Sequence, residues 1–359
     1  MKEIHATLQE RLIKRYPEPV VRKFARDLIL ALGGSAAEAD VVSDGITIAS
    51  LWWHPGQGQG LEKFFRFHRR TQNGGEIPRA TMEWGKEGPA YALLNANKAF
   101  GYHSANTAMR KAIELAKKSG IGIVGVRNSN HFGIAGYHAK TAADAGCIGW
   151  SMTNAKAEMA PWGAKAVPVL GTNPWGWAVP RRNAYPIVLD MALTMSGRGM
   201  IEWAAREGRE VPDDLALTKD GRRTTNPKDL IEGATQMPIG RAKGYGLAFM
   251  TDVLSGVTMG AMFGMSVFQD DTNYDVSHVM TAINIEAFTS MDRYYDRLER
   301  LIKEVKSAPP IEPGDEILLP GEAEQRRMLE RLQHGIPVDV ETVEKLRPIA
   351  ADLKVPFPL

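Results

Sequence analysis

The sequence predicts an α/β fold, and its middle section provides the main observations. Three apolar runs indicate buried strands at residues 122–128, 147–154 and 185–192. A helical pattern at 134–146 separates the first two runs, and its length suits a crossover between parallel strands. Strands that alternate with helices are typical of α/β proteins. A chain of 359 residues also has room for two or three domains.

Helices dominate the part of the chain before these strands. Apolar residues recur at helical spacing in 18–33, and 35–53 opens with a Ser/Glu capping pattern. We also expect the charged amphipathic segment 1–16 to be helical. Proline and three glycines in 52–60 predict a loop. The segment 81–97 is interpreted as two short strands around a Gly-Pro turn.

A helix predicted at 103–120 ends at Gly120 and leads into the first apolar run. Gly120, Gly122 and Gly125 spell G-x-G-x-x-G. The dinucleotide-binding version of this motif follows a strand and opens a helix. Here a helix precedes the motif, so we interpret these glycines as a helix stop and a closely packed strand.

The last third of the chain is again predicted to be mainly helical. Residues 243–264 form a small-residue pattern with Gly256, Gly260 and Gly264 four positions apart. This spacing favours close packing inside the fold over a subunit contact. Charged amphipathic helices are predicted at 291–306, 320–335 and 340–353.

Charge gives no reason to expect nucleic acid or an anionic membrane as a partner, because the formal net charge is only +2. The basic run FRFHRR at 65–70 is interpreted as a solvated helix face. Cys147 is the only cysteine, so no internal disulfide forms, and its apolar neighbours favour a buried position.

Nothing in the sequence suggests a membrane span or a secretion signal. The longest apolar stretch, 245–265, contains Asp252, and burying that charge in a bilayer is unfavourable. The N-terminal segment is charged and lacks an apolar signal core. We therefore expect a cytoplasmic protein.

Polar residues follow each of the three predicted strands. Asn128, Ser129, Asn130 and His131 follow the first, Thr153 and Asn154 end the second, and Asp190 lies near the end of the third. Ligands in parallel α/β sheets bind beyond the carboxyl ends of strands. The helix after His131 also offers free N–H groups to an anion. His131 therefore belongs either to an ordinary polar turn or to a functional cleft.

Other chemistries have less support. The eight histidines include no pair at helical spacing and have no cysteine partner, so a metal site is not expected. No G-x-S-x-G motif for acyl transfer is present. Proton abstraction by an imidazole beside the ligand loop predicted at 171–180 is the most economical chemistry.

Six motifs together resemble the malate/L-lactate dehydrogenase family, which includes sulfolactate and ureidoglycolate dehydrogenases, diketogulonate reductase and cyclic-imine reductases. They occur in the family's order and spacing over nearly the whole chain. They are NSNHFG (128–133), LGTNPWGWAVP (170–180), VLDMA (188–192), TTNP (224–227), KGYGLA (243–248) and LPGE (319–322).

The resemblance implies a non-Rossmann nicotinamide-binding sheet domain at 120–288 and a helical domain built from both termini, 1–75 and 289–359, with 76–119 connecting them. It implies a cytoplasmic homodimer that transfers hydride between NAD or NADP and a small 2-oxo acid or cyclic imine. His131 is implied as acid/base and Asp190 as the carboxylate that orients a catalytic histidine. The implied cofactor-binding residues are Asn128, Ser129, Asn130, Gly133, Thr153, Gly171, Thr172, Asn173, Pro174, Lys243, Gly321 and Glu322.

The chain departs from the family where the substrate is expected. Many members have Ser-His-Gly followed by an arginine, and gapless placement puts residues 56–58, Gly-Gln-Gly, and Leu61 on these positions. Leu193-Thr194 and the GRAKG stretch (240–244) also differ from the usual residues. The residues predicted to compensate, given a rearranged loop, are His54 as a catalytic group and Gln57 and Lys63 as substrate-binding groups. Asn154 is predicted as a further substrate-binding residue.

Two alternatives follow from these departures. The protein is a reductase of a cyclic imine or of a non-standard hydroxy compound held by Gln57, Gln59, Trp52 and Trp53, or it binds the cofactor without turnover.

Overall fold

The structure is a computed structural model that describes residues 8–231 and 233–359. Its helices are α1 (Glu18–Ala31), α2 (Ala36–Trp52), α3 (Lys63–Gln72), α4 (Gly101–Ser119), α5 (Ala135–Asp144), α6 (Arg198–Glu207), α7 (Ala242–Asp252), α8 (Met291–Lys306), α9 (Glu322–His334) and α10 (Val340–Asp352). Its strands are β1 (Ile13–Tyr16), β2 (Glu83–Gly88), β3 (Tyr91–Asn95), β4 (Ile121–Ser129), β5 (Cys147–Thr153), β6 (Trp175–Arg181), β7 (Ala184–Met191), β8 (Ala216–Leu217), β9 (Thr235–Gln236), β10 (Val276–Asn284) and β11 (Ile336–Asp339).

A seven-stranded sheet with the order β2-β3-β4-β10-β5-β6-β7 forms the centre of the molecule. The α/β class is therefore confirmed, but the sheet is mostly antiparallel, because only β3 and β4 pair in parallel. The strands β4 and β5 run in the same direction, yet β10 lies between them and pairs with both. The expected direct parallel pairing was therefore wrong. Because β7 also runs in this direction, the carboxyl ends of β4, β5 and β7 still meet at one edge.

Local signals predicted most helix ends correctly. Ser35 and Glu38 form the predicted capping box, in which the Ser35 N–H donates to Glu38 Oε2 at 2.7 Å. Gly120 ends α4 with a φ of 85°. Gly122 lies within β4, where a Cβ atom would come 2.1 Å from the Ala112 carbonyl oxygen. The glycines of the G-x-G-x-x-G pattern thus serve a helix stop and close packing, as the sequence indicated.

Three local predictions were wrong. Residues 1–7 of the proposed N-terminal helix lie outside the described residues, but 13–16 form β1, which pairs with β11 from the other end of the chain. The helix predicted at 243–264 leaves α-geometry after Asp252, and Gly260 and Gly264 adopt positive φ. The predicted ligand loop 171–180 becomes strand β6 at Trp175. In the first case pairing with β11, and in the third case pairing with β5 and β7, overrides the local pattern.

The basic run at 65–70 is not a solvated face. The Arg70 side chain is 1% exposed, and its Nη2 atom donates to the Asn130 side chain at 2.8 Å. The run therefore contributes the buried cation of Arg70 to the interior, because α3 packs this face against the segment that follows β4.

Helices from the two ends of the chain share one core. Buried side chains of α1, α2 and α10 pack together with Ile336 and Val338 of β11. The same core extends to Phe100, Tyr102 and Tyr137 beside the central sheet. The domain boundaries given above stay predictions. Cys147 is buried, as expected. Within the described residues, no helix combines the length and apolar character needed to cross a membrane.

Candidate active site

A cavity of about 330 Å³ lies at the sheet edge where β4 and β7 end and β6 begins. Six of the predicted site residues line it. They are Gln57, His131, Gly133, Thr172, Pro174 and Asp190. The motifs at the ends of β4 and β7 therefore meet in one place, although more than fifty residues separate them in the sequence.

His131 lies two residues after the end of β4 and lines the cavity. Its Nδ1 atom accepts a hydrogen bond from the Gly133 backbone N–H at 3.1 Å. Burial, followed by the positive charges of Lys63 and Arg66, holds the pKa of His131 well below its usual 6.5. The ring is therefore neutral near pH 7, and Nε2 is the nitrogen left for a ligand.

Asp190, at the end of β7, accepts two hydrogen bonds. Its Oδ1 atom accepts from the Gly136 backbone N–H at 3.0 Å, and its Oδ2 atom from Trp53 Nε1 at 2.9 Å. Burial raises the pKa of this carboxyl to about 6. Asp190 thus occupies the N-terminus of α5, where the sequence suggested an external anion. Its hydrogen-bond partners are a backbone amide and an indole, not His131.

The segment 54–60 contributes amides to the cavity. Gln57, Gln59 and the neighbouring Trp53 line it. His54 is buried outside this lining: its Nδ1 atom accepts from the Gly56 N–H at 3.0 Å, and its ring packs edge-on against Trp203. The location of His54 therefore indicates a capping and packing role for this predicted catalytic residue.

Lys63 begins α3 and also lies outside the cavity lining. Burial, followed by repulsion from the Arg66 guanidinium, lowers the pKa of Lys63 to about 8. Because Lys63 in turn depresses the pKa of His131, its ammonium group lies within electrostatic reach of the imidazole.

Most predicted polar residues at the strand ends serve the interior instead. Ser129 and Thr153 bond to the two ring nitrogens of His278 at 2.9 and 2.8 Å. Asn154 accepts from the Ser277 N–H and donates to the Met262 carbonyl. Asn130 donates to backbone carbonyls that include those of Lys98 and Ala99. Asn128 and Asn173 bond to side chains and backbone outside the cavity lining. These residues shape the rim without lining the cavity.

The remaining predicted cofactor residues surround the site at varying distances. Gly171 packs against Ala155, where a Cβ atom would come 2.4 Å from the carbonyl oxygen. Gly321 lines a second cavity of about 140 Å³ that shares Asp190 with the first. Lys243 is exposed in the first turn of α7, and Glu322 begins α9 in an ion pair with Lys306.

The sequence interpretation missed the segment that leads into α6. Thr194, Met195, Ser196 and Gly197 line the cavity. Gly197 is the N-cap of α6 and has no side chain to satisfy the first N–H groups of the helix. The pair Ser-Gly directly before the apolar-periodic run 198–207 was the available signal. Within the described residues, no group of three or more His, Cys, Asp or Glu side chains could hold a metal ion.

Comparison with known proteins supports the motifs. A family model described as malate/L-lactate dehydrogenase matches residues 17–347. The chain is 35% identical to a malate dehydrogenase of Pyrococcus abyssi over 344 residues, which is 94% of each chain. It is 35% identical to a malate/(S)-sulfolactate dehydrogenase of Methanothermus fervidus over 334 residues, 91% of this chain and 95% of the relative.

The fold is shared with a malate dehydrogenase structure from Pyrococcus horikoshii OT3, with a TM-score of 0.90 at 31% identity, covering 98% of this chain and 99% of that one. The chain belongs to the malate/L-lactate dehydrogenase family, which confirms the resemblance inferred from its motifs. It is therefore an oxidoreductase of the dehydrogenase/reductase type.

Proposed function

We propose that the protein is a NAD(P)-dependent dehydrogenase that transfers a hydride between nicotinamide and a small 2-hydroxy or 2-oxo acid of the malate, lactate or sulfolactate type. The observation that carries this proposal is the cavity in which His131 and Asp190 meet beside an apolar wall. The names of the relatives, malate and sulfolactate dehydrogenases, agree with such substrates.

The residues of the cavity fit a nicotinamide cofactor. Ile134, Met191 and Ile239 provide apolar surface for a flat ring. The uncapped N-terminus of α6 at Gly197 offers backbone N–H groups and a favourable dipole to a phosphate group. When bound, the cofactor supplies or accepts the hydride.

His131 handles the charge and the proton at the substrate oxygen. Because Nδ1 accepts the Gly133 N–H, the neutral ring carries its hydrogen on Nε2. In the reducing direction this N–H donates to the carbonyl oxygen and stabilises the negative charge that forms there. One proton is taken up as the alcohol forms, and it is released in the oxidising direction. To pass this proton, the ring first takes up a second proton on Nδ1, which releases the Gly133 N–H. It then gives its Nε2 proton to the substrate oxygen and stays neutral with its hydrogen on Nδ1, and the oxidising direction runs the same transfers in reverse.

Asp190 acts as a positioning residue. Its carboxylate holds the Trp53 indole and the first turn of α5 through two N–H donors. These contacts define the wall of the cavity between residues 53 and 136. The ionised form accepts both hydrogen bonds, so the arrangement depends on the charge of Asp190.

A second candidate function is favoured by the amides at the cavity. Gln57 and Gln59 line it in the loop where many relatives have Ser-His-Gly. Amide groups suit a cyclic imine or a neutral hydroxy compound better than they suit an anion.

The experiment follows the absorbance of the reduced cofactor with a panel of 2-oxo acids, sulfonated analogues and cyclic imines. Consumption with the acids supports the first function, and consumption with the imines alone supports the second. Tight cofactor binding without any consumption would indicate a binding protein, and absence of binding would contradict all three hypotheses.

The protein is also proposed to form a homodimer in the cytoplasm. Exposed apolar side chains are concentrated on α7 and the residues after it, and this surface suits a second copy of the chain. The exposed apolar side chains of this surface are Phe249, Met250, Val257, Phe263 and Met265. Light scattering coupled to size-exclusion chromatography should give twice the chain mass of 39.5 kDa, and a monomer at that step would contradict the proposal.

A further inference from the structure

The cavity lacks a positive charge for the substrates proposed above. None of the described residues that line it is a lysine or an arginine. A 2-oxo or 2-hydroxy acid is an anion at neutral pH, and its carboxylate needs a cation or several donors when it leaves water. The position of the arginine found in many relatives is taken by Leu61, which is 2% exposed and part of the apolar core.

Helix α3 brings two cations to the His131 end of the cavity. Lys63, Arg66, Phe67 and Arg70 follow the spacing that places residues on one helix face. On this face Arg70 donates to the side chain of Asn130, the residue before His131, at 2.8 Å.

The packing of the same face agrees with this placement. The Phe67 ring lies 6.3 Å from the Tyr102 ring, and the Tyr102 ring contacts Gly133 closely. Lys63 and Arg66 are also the two charges that act most strongly on His131 after burial. Both cations therefore lie near the residues that line the cavity at 131–133.

The guanidinium of Arg66 lies over the Tyr274 ring, 4.5 Å from its centroid, and leaves one edge open. Its Nε and Nη2 atoms are buried and have no hydrogen-bond partner within the described residues. These two N–H groups point to the same side of the guanidinium and form the fork that binds a carboxylate through two parallel hydrogen bonds. Buried donors without partners are unfavourable, and their presence at a site calls for a ligand or another explanation.

Other unpartnered polar atoms accompany this edge. The Tyr102 hydroxyl is buried without a partner within the described residues, as is Gln59 Oε1 on the cavity side. Glu76 is 1% exposed, and neither of its carboxylate oxygens accepts a hydrogen bond there. Burial raises the pKa of Glu76 to about 7, and its Oε2 atom also lies 3.9 Å from Arg70 Nε. This carboxyl therefore only partly offsets the charges of Lys63 and Arg66 at neutral pH.

We propose that Lys63 and Arg66 form the subsite for the substrate carboxylate, with Arg66 binding through its Nε and Nη2 atoms, in place of the arginine that Leu61 replaces. This assignment rests on the proposed function and specifies how a small 2-oxo acid is held. It makes Lys63 and Arg66 of α3 specificity-determining residues. A carboxylate bound here also offsets the two charges that depress the pKa of His131, so the imidazole becomes easier to protonate once substrate is present.

The test compares Arg66→Gln and Lys63→Gln with Arg69→Gln, a control on the same helix whose side chain is 59% exposed. Steady-state kinetics are measured with a 2-oxo acid and with its neutral amide. Loss of a charged hydrogen bond predicts that Arg66→Gln raises KM for the acid by about 10- to 100-fold. The KM for the amide, the affinity for the reduced cofactor and all constants of the control should stay at wild-type values. An equal rise for acid and amide, or no rise for the acid, would overturn the subsite.

The pH profile gives a second readout. The histidine pKa seen in kcat, which reports the substrate complex, should exceed that seen in kcat/KM, which reports the free enzyme. In Arg66→Gln this difference should shrink. Identical profiles in the wild-type protein would contradict the proposed link between the carboxylate and His131.

Further variants guard against a purely structural effect. Arg66→Lys keeps a charge but loses the fork, so we expect a smaller rise in KM at a Tm close to wild type. Glu76→Gln tests whether Arg66 instead pairs with this carboxylate. If Glu76→Gln and both Arg66 variants only lower the Tm and leave KM for the acid unchanged, Arg66 is a structural ion-pair partner and the subsite is wrong.

Failure of the proposed function can be distinguished from failure of the subsite. If no 2-oxo acid is turned over, calorimetry with oxamate, an unreactive analogue of a 2-oxo acid, tests the subsite in the presence of cofactor. Binding to the wild-type protein that is lost in Arg66→Gln supports the anion subsite alone. Equal binding to both proteins, or no binding to either, refutes it.

Discussion

The two sides of the cavity present different chemical groups. The side formed by β6, β7 and α6 presents backbone groups, small hydroxyls and apolar surface, among them Thr172, Ser196 and Gly197. The side formed by residues 53–60 and α3 presents an indole and two amides, with buried cations behind them. The first side retains most of the family motifs, whereas the second lacks the usual Ser-His-Gly and arginine. Under the proposed function, the first side holds the cofactor and the second meets the substrate. The contrast then teaches that a chain can keep one surface while the groups of the other are exchanged, because separate elements of the fold carry them.

The largest expected effect on kcat comes from replacing His131. His131→Gln removes the imidazole that we propose handles the substrate proton, and we expect kcat to fall by about 10²- to 10⁴-fold. Cofactor affinity, measured by fluorescence quenching, should be unchanged, because other residues form that surface. His68→Gln is the matched control, since His68 bonds to Asp352 on the surface. An unchanged kcat in His131→Gln would end the proposed role of this residue.

The pH dependence of kcat/KM tests the role of Asp190 in the cavity wall. Its pKa is raised from 3.8 to about 6, so the carboxylate that holds Trp53 and Gly136 is present above this pH and is lost below it. We therefore expect kcat/KM to fall as the pH drops through about 6. Asp190→Asn can accept only one of the two N–H groups with its single carbonyl oxygen, so kcat/KM should fall by about 10- to 100-fold. A wild-type acid limb that persists unchanged in this variant would assign the titration to another group.

Gln57 tests the substrate side alone. Truncation in Gln57→Ala removes one neutral hydrogen-bonding group from the cavity, and KM for the substrate should rise by about 2- to 10-fold at constant cofactor affinity. Gln72→Ala, an exposed glutamine at the end of α3, serves as the control. If cofactor affinity changes and KM for the substrate does not, the division of the cavity into two sides is wrong at this residue.

His54 gives the smallest expected effect on catalysis. His54→Ala removes the cap on the Gly56 N–H and the edge contact with Trp203. We expect the free energy of unfolding to fall by about 1–2 kcal/mol, with kcat/KM near wild type. Urea unfolding and steady-state kinetics of the same preparations measure both. A severe loss of kcat at unchanged stability would restore the catalytic role that the sequence suggested.

Residues of the candidate site differ in how far the sequence could predict them. Thr172, Pro174 and Asp190 line the cavity as their motifs implied. Asn154 belongs to the same polar strand ends, yet it serves Ser277 more than a hundred positions away. A polar strand end locates the edge of a sheet, but the partner of each side chain depends on which distant backbone groups remain to be satisfied.

For the helix α3, the sequence predicted an exposed basic face, but the structure buries one of its arginines. FRFHRR looks like a surface helix because arginines are usually solvated. Arg70 is nevertheless buried with the Asp271, Gly75 and Asn130 oxygens as acceptors. Three acceptors from three separate segments offset the cost of burying the Arg70 charge, and no local sequence pattern predicts them.

By itself, the sequence determined the α/β class, the bounds of most helices, five of the eleven described strands (β2–β5 and β7), and the family. These follow from apolar periodicity, caps and motifs, which act over a few residues or over one contiguous match. Only the tertiary structure decided that β10 separates β4 from β5, that β1 pairs with β11, and that Asp190 caps α5. Strand order and the partners of buried polar groups depend on contacts between segments far apart in the chain, because each group must find its hydrogen bond wherever the fold brings one.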